Sequence, residues 1–211
     1  MRRPLPIPAN APADLEAAKY RLRREMAARR RDVRRDEAEA AGLELAARLA
    51  DCPAFLAAGR VAFYAALPDE LPTRVAFDAA LERGCCALFP AVEGERRLVF
   101  RPLERWEDLR PGRYGVPEPP KAGPAVRLTK GDLVLVPGVA FDADGHRLGR
   151  GGGCYDAAFP AGASAPLLYG VGFEFQVVDA VPHGSRDRRM DAIVTERIIR
   201  QMPARSSHDP S

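Results

Sequence analysis

Between Asp14 and Arg35 the chain has neither glycine nor proline and is rich in helix-forming residues. Leu15, Ala18, Leu22 and Met26, continued by Arg29, recur at three- to four-residue spacing. That pattern predicts a helix over 14–35 with a narrow apolar stripe. Asp36–Asp51 reads as a second helix, ending before Pro53. The period then changes. Arg60–Ala66 (RVAFYAA) predicts a strand and Leu67–Thr73 the loop after it. Thr73 is placed to cap a helix over Arg74–Arg83, with Gly84 as its stop. Cys85–Phe89 predicts the next strand, closed by Pro90, which completes a β-loop-α-β unit of the kind that builds parallel sheets. Leu98–Pro102 is a short strand, paired with its neighbour across Glu93-Gly94-Glu95. Trp106–Thr129 is too rich in proline and glycine for any regular element. Three further strands are expected at Leu133–Val136, Pro166–Gly172 and Ala192–Thr195. The apolar stretch Phe173–Val178 and the polar, turn-like Val181–Asp191 lie between the last two.

Composition sets the limits. The 211 residues, 46% hydrophobic and 29% charged, suit one soluble α/β domain over 14–202. Residues 1–13 read as a flexible leader and 203–211 as a disordered tail. No run of about 18 apolar residues offers a membrane span, and the N-terminus lacks the apolar core of a secretory signal. Cys52, Cys85, Cys86 and Cys154 show neither metal nor disulfide spacing, so a reducing cytoplasm is expected. The net charge of +3 is uneven: Lys19–Arg35 holds nine Lys/Arg against two acids.

Candidate chemistry concentrates in Val134–Asp156. Five of the nine residues from Gly145 to Gly153 are glycine, interleaved with Arg147 and Arg150, after an apolar strand and before a helix start at Cys154. Backbone amides and guanidinium groups converging in a turn are a way to hold phosphate, and glycine allows the close approach. Neither the P-loop spacing nor the dinucleotide fingerprint can be read here. Asp142-Ala143-Asp144-Gly145 fails as a calcium loop, because its glycine comes too early and no glutamate follows at the required offset. Asp156, just past the glycines, and Asp187, before the last strand, are candidate Mg2+ ligands. Glu70 sits at the carboxyl end of its strand, where open α/β sheets bind ligands. His146, His183 and His208 show no metal spacing.

At these residues the chain resembles the 5-formyltetrahydrofolate cyclo-ligase family. Pro137–Asp156, PGVAFDADGHRLGRGGGCYD, is similar to that family's PGxxFDxxGxRLGxGxGYYD signature. Weaker matches follow in the right order: Lys19–Arg23 (KYRLR), Pro68-Asp69-Glu70 with Thr73, Tyr114–Pro119 (YGVPEP), and Pro182–Asp187 with Asp191–Glu196 (DAIVTE). The resemblance covers residues 15–196. It implies a three-layer α/β/α sandwich with a mostly parallel, mononucleotide-binding sheet, working as a monomer on small molecules, a reduced folate and ATP with Mg2+. It implies nucleotide binding at Lys19, Arg23, Arg147, Leu148, Gly149, Arg150, Gly151, Gly152, Gly153, Cys154 and Tyr155, and folate binding at Ala65, Glu70, Tyr114 and Tyr155. Asp156 and Asp187 would hold the metal, with Arg150 and Tyr155 at the reacting atoms. The reaction implied is ATP-dependent closure of 5-formyltetrahydrofolate to 5,10-methenyltetrahydrofolate through an N5-iminophosphate. Gly152 stands where the family usually has lysine, and Cys154 where it has its first tyrosine. That departure opens an alternative, a member that binds nucleotide or folate without efficient turnover. An alternative of another class is nucleic-acid association through the basic helix 19–35, although no aromatic platform accompanies the charge.

Overall fold

The computed structural model describes residues 12–121, 123–160, 166–184 and 187–202. The expected tail, and residues 1–11 of the expected leader, lie outside them. In chain order the elements begin with α1 (Pro12–Arg31), α2 (Arg35–Ala50), α3 (Pro53–Ala57), β1 (Arg60–Ala62) and α4 (Arg74–Glu82). Next come β2 (Cys86–Glu93), β3 (Arg97–Pro102), β4 (Arg110–Pro111), β5 (Pro117–Glu118), β6 (Leu133–Pro137), β7 (Ala140–Asp142) and β8 (Arg147–Leu148). The chain closes with α5 (Cys154–Ala158), β9 (Leu167–Val171), β10 (Val177–Val178), β11 (Ala192–Val194) and β12 (Ile199–Gln201).

Seven strands form the main sheet in the order β12-β11-β9-β6-β1-β2-β3. The five inner strands pair in parallel, and only the outermost pairs, β2/β3 and β11/β12, are antiparallel. The pleat explains why the inner strands are continuously apolar. Leu133 and Leu135 join the core under α2, α3 and α4, while Val134 and Val136 join the core on the opposite face. That second face is covered by the short α5 with Phe159 just after it, and by the small sheet β10-β7-β8, through Phe141. Phe141 is seated where Gly138 and Gly170 leave room; a Cβ on either would come within 2.4 Å of its ring. The architecture is α/β with three layers, as expected, but the third layer is mostly a hairpin rather than a row of helices.

Several details depart from the sequence expectation, each for a local reason. Helix α1 begins at Pro12, inside the expected leader, and the first helical run breaks at Asp32–Arg34 before α2. Pro90 does not close its strand. Alternate residues of β2 turn their amides away from β3, and β1 pairs only as far as Leu88, so the N–H that proline lacks would have met no strand. Thr73 precedes α4 but does not cap it; its hydroxyl donates to the Tyr64 carbonyl at 2.7 Å. Strand pairing of β1 stops at Ala62, and Phe63–Ala65 run on buried past the sheet edge. The proline-rich crossing holds the two-residue ladder β4/β5, and its Trp106 packs edge-on against Phe77 and Phe89. The β7–β8 hairpin and strand β12 have no counterpart in the expectation.

Candidate functional site

The direction of strand order reverses at β1, with β2 on one side and β6 on the other. At such a switch point the carboxyl ends of two strands diverge and leave a crevice. A cavity of about 340 Å3 lies there, lined by Tyr64 and Ala65 beyond β1, by Pro137 at the end of β6 and Gly138 after it, and by the second half of β2. Gly149, Gly152, Gly153 and Cys154 close one wall, and Tyr114 with Val116 another. The glycine loop reaches this place indirectly. Strand β6 leads first into the β7–β8 hairpin, whose turn is tied by Asp142: one carboxylate oxygen accepts the Asp144 and His146 amides at 3.0 and 2.9 Å. Gln176, buried, donates to the Gly138 and Val139 carbonyls and fixes the exit from β6. Gly151 and Gly153 adopt φ of 103° and 68°, the left-handed region glycine enters without a Cβ clash.

The predicted cations converge on this loop, and each meets a partner from a distant segment. Helix α1 lies against the hairpin through Met26, in a small core with Ala140 and Leu148. This sets the inward face of α1 over the loop. Lys19 Nζ donates to Asp187 at 2.9 Å, and Arg23 Nε to the Gly149 carbonyl at 2.9 Å. Arg147, its side chain 5% exposed, donates to Asp156 at 2.8 Å, with its guanidinium 5.6 Å from the centre of the Tyr155 ring. Arg150 turns to the other side of the cavity: Nε donates to Glu70 at 2.9 Å and Nη2 to Asp69 at 2.7 Å. It therefore bridges the glycine loop to the Leu67–Leu71 loop. Leu148, expected beside the nucleotide, puts its side chain in the α1–hairpin core instead.

Burial pushes the Asp187 carboxyl up. The Gly184 amide, Lys19 and Arg147 outweigh it and hold the group below the usual aspartate range. Arg147 thus bonds to Asp156 and also lowers the Asp187 carboxyl through its charge. Two carboxylates beside a phosphate-type loop are hard oxygen donors that fit Mg2+. Burial also drives the Tyr155 hydroxyl far up its scale, against the pull of Arg147, so Tyr155 is a neutral donor at neutral pH. Glu70 is buried and accepts the Leu67 amide at 3.0 Å. Ala65 and Tyr114 line the same cavity; Tyr114 holds a left-handed φ of 59°, and its hydroxyl donates to the Glu95 carbonyl.

Some residues of the site escaped the sequence reading. Arg30, only 4% exposed, pairs with Asp69 at 2.7 Å, so Asp69 is shared by two arginines. Its signal was present: Lys19, Arg23, Met26 and Arg30 fall at i, i+4, i+7 and i+11, one helix face. The inward stripe of α1 is as basic as it is apolar. That accounts for three of the nine cations that had suggested nucleic acid, since Lys19, Arg23 and Arg30 are engaged inside the molecule. Arg96, on the β2–β3 turn, comes within 3.9 Å of where a Gly153 Cβ would stand, and it is exposed. Among the described residues it makes no ion pair. Only the fold could place it there. No helix among the described residues is long and apolar enough to cross a membrane.

Comparison with known proteins agrees with this geometry. The family model described as the 5-formyltetrahydrofolate cyclo-ligase family matches residues 15–196. A 5-formyltetrahydrofolate cyclo-ligase from Mycolicibacterium smegmatis is 30% identical over 176 residues, covering 78% of this chain and 84% of its own length. The mouse 5-formyltetrahydrofolate cyclo-ligase is 24% identical over 202 residues, covering 88% and 97%. Among solved structures, the 5,10-methenyltetrahydrofolate synthetase of Aquifex aeolicus superposes with a TM-score of 0.76 at 28% identity, over 91% of this chain and 96% of that one.

Proposed function

The chain belongs to the 5-formyltetrahydrofolate cyclo-ligase family, and on that footing we propose that it closes 5-formyltetrahydrofolate to 5,10-methenyltetrahydrofolate with ATP as phosphoryl donor. The observation that carries this reading is that one cavity at the strand switch point joins both sets of groups. One wall is the glycine loop with Arg147 and Asp156, and Glu70 faces it from the other side. In this reading the pterin lies between Ala65, Tyr114 and Tyr155, and the Glu70 carboxylate accepts its N–H groups. The triphosphate runs along Gly149–Gly153, past Lys19 and Arg23.

The chemistry then follows from position. The formyl oxygen attacks the γ-phosphorus, the bond to the bridging oxygen breaks, and ADP leaves. N10 attacks the activated formyl carbon and loses its proton, and the phosphate departs with the former formyl oxygen. Phosphoryl transfer asks a protein for alignment and charge neutralisation more than for covalent chemistry. Lys19, Arg23 and Arg147 supply the cations, and the loop amides hold the phosphate oxygens. Asp156 and Asp187 would hold Mg2+, which neutralises phosphate charge when bound. For Arg147 and Lys19 this entails a change of partner, from these carboxylates to phosphate oxygens. The neutral Tyr155 hydroxyl donates to the reacting oxygen at the junction of the two substrates. The Arg150 bridge ties the nucleotide loop to the folate loop.

The test is growth of the methenyl chromophore from 5-formyltetrahydrofolate, dependent on both ATP and Mg2+. Ligand-induced thermal stabilisation without any turnover would overturn it in favour of a binding-only member.

A further inference from the structure

We propose that His146 and His183 form a second cation site, for a borderline transition-metal dication such as Zn2+, Ni2+ or Co2+, separate from the carboxylates Asp156 and Asp187. The two imidazoles lie face to face, with centroids 3.4 Å apart and planes within 7°. One ligand atom from each, with one from Asp142, falls within 4.8 Å of the others. The hydrogen bonds fix which nitrogen is free. His146 Nδ1 lies 3.1 Å from the Asp142 carboxylate and His183 Nδ1 lies 2.9 Å from the Val181 carbonyl. Both partners accept, so both Nδ1 atoms donate, and each neutral ring carries its lone pair on Nε2. A carboxylate or backbone carbonyl on Nδ1–H is the outer-shell arrangement that orients a metal-binding histidine. Asp142 serves as that orienter rather than as a ligand, because its oxygens already take the Asp144, His146 and Val181 amides. The site is reachable from solvent: His183 is exposed and His146 half-buried. In-plane lone pairs on parallel rings run parallel, so binding requires the rings to fan apart at their Nε2 edges, with water completing the shell. Imidazole suits these ions and is a poor ligand for Mg2+.

Such an ion would tie the β7–β8 turn to the Val181–Gly184 segment, whose Gly184 amide holds Asp187 at 3.0 Å. The experiment is calorimetric titration of the full chain with Zn2+ in excess Mg2+, paired with the visible spectrum of the Co2+ form. The expected result is one ion per chain, no competition by Mg2+, and no thiolate-to-metal band. His183→Ala, at an exposed position, should abolish binding while the metal-free variant still unfolds cooperatively. Asp142→Asn, if it folds, should weaken binding about 10–100-fold. No binding to the wild type, undiminished binding to folded His183→Ala, or a thiolate band pointing to Cys86 or Cys154 would each overturn the proposal. The turnover test above does not depend on these outcomes.

Discussion

Removing either partner of the Arg30–Asp69 pair should have very different consequences. Arg30 is 4% exposed and its only charged partner within 4 Å among the described residues is Asp69, at 2.7 Å. Its Nε and Nη1 are buried without a hydrogen-bond partner, and burial pulls its pKa below the ordinary arginine value. Asp69→Ala strands this cation. Breaking a buried pair from one side costs about 3–5 kcal/mol. Asp69 is 31% exposed, so some of the field is screened and the low end applies, about 3 kcal/mol. For a chain of this length that lowers the melting temperature by roughly 6–12 °C. Arg30→Met is the opposite case. It removes the buried charge along with its unsatisfied N–H groups, and Asp69 keeps Arg150 at 2.7 Å. The expected cost is within about 1 kcal/mol, and Arg30→Met should recover most of the loss in the Asp69→Ala background. Urea unfolding of the four proteins measures this directly. Equal losses from the two single substitutions, or no recovery in the double variant, would refute the reasoning.

Further expectations concern binding, pH and the glycine loop. Glu70→Gln should raise the Michaelis constant for the folate about tenfold or more with a smaller change in kcat, as removal of one buried hydrogen-bonded charge predicts; an effect confined to kcat would place Glu70 elsewhere. Asp187 has a lowered folded-state pKa, so its contribution is present above the unfolded value of about 3.9 and lost as pH falls through the folded value. The stability gap between wild type and Asp187→Asn should therefore be full at neutral pH and close in acid; a gap that widens on acidification would contradict it. Arg96→Ala, which removes the exposed cation beside Gly153, should lower kcat by about 100–1000-fold, the loss typical of one charge-stabilising contact, and Gly152→Lys in that background should restore part of it. Unchanged kcat in Arg96→Ala would show that this arginine has no part in the reaction.

The fold was readable where burial imposes a period. The inner strands declared themselves as short apolar runs because both faces are covered, and Gly84, with its φ of 78°, marked the end of α4. What escaped was set by tertiary context. The β7–β8 hairpin is too short to show an alternation, and Pro90 sits inside a strand only because its neighbour stops short. The loop carrying Arg147, Arg150 and Asp156 stood out because its glycines are interleaved with arginines between a strand and a helix start. Its partners were harder to see: Arg30 lies on the face of α1 that the spacing of Lys19, Arg23 and Met26 marks, but only the fold brings it to Asp69 and brings Arg96 to Gly153. Arg150 shows the limit best. Its place in the glycine run suggested phosphate, and only the folded chain shows its bonds to Glu70 and Asp69.

The most direct test of the proposed reaction follows one atom. With a heavy-oxygen label in the formyl group of 5-formyltetrahydrofolate, attack of that oxygen on the γ-phosphorus delivers the label to inorganic phosphate. One labelled phosphate and one ADP should appear for each methenyl product. Label released into water with unlabelled phosphate would contradict the account.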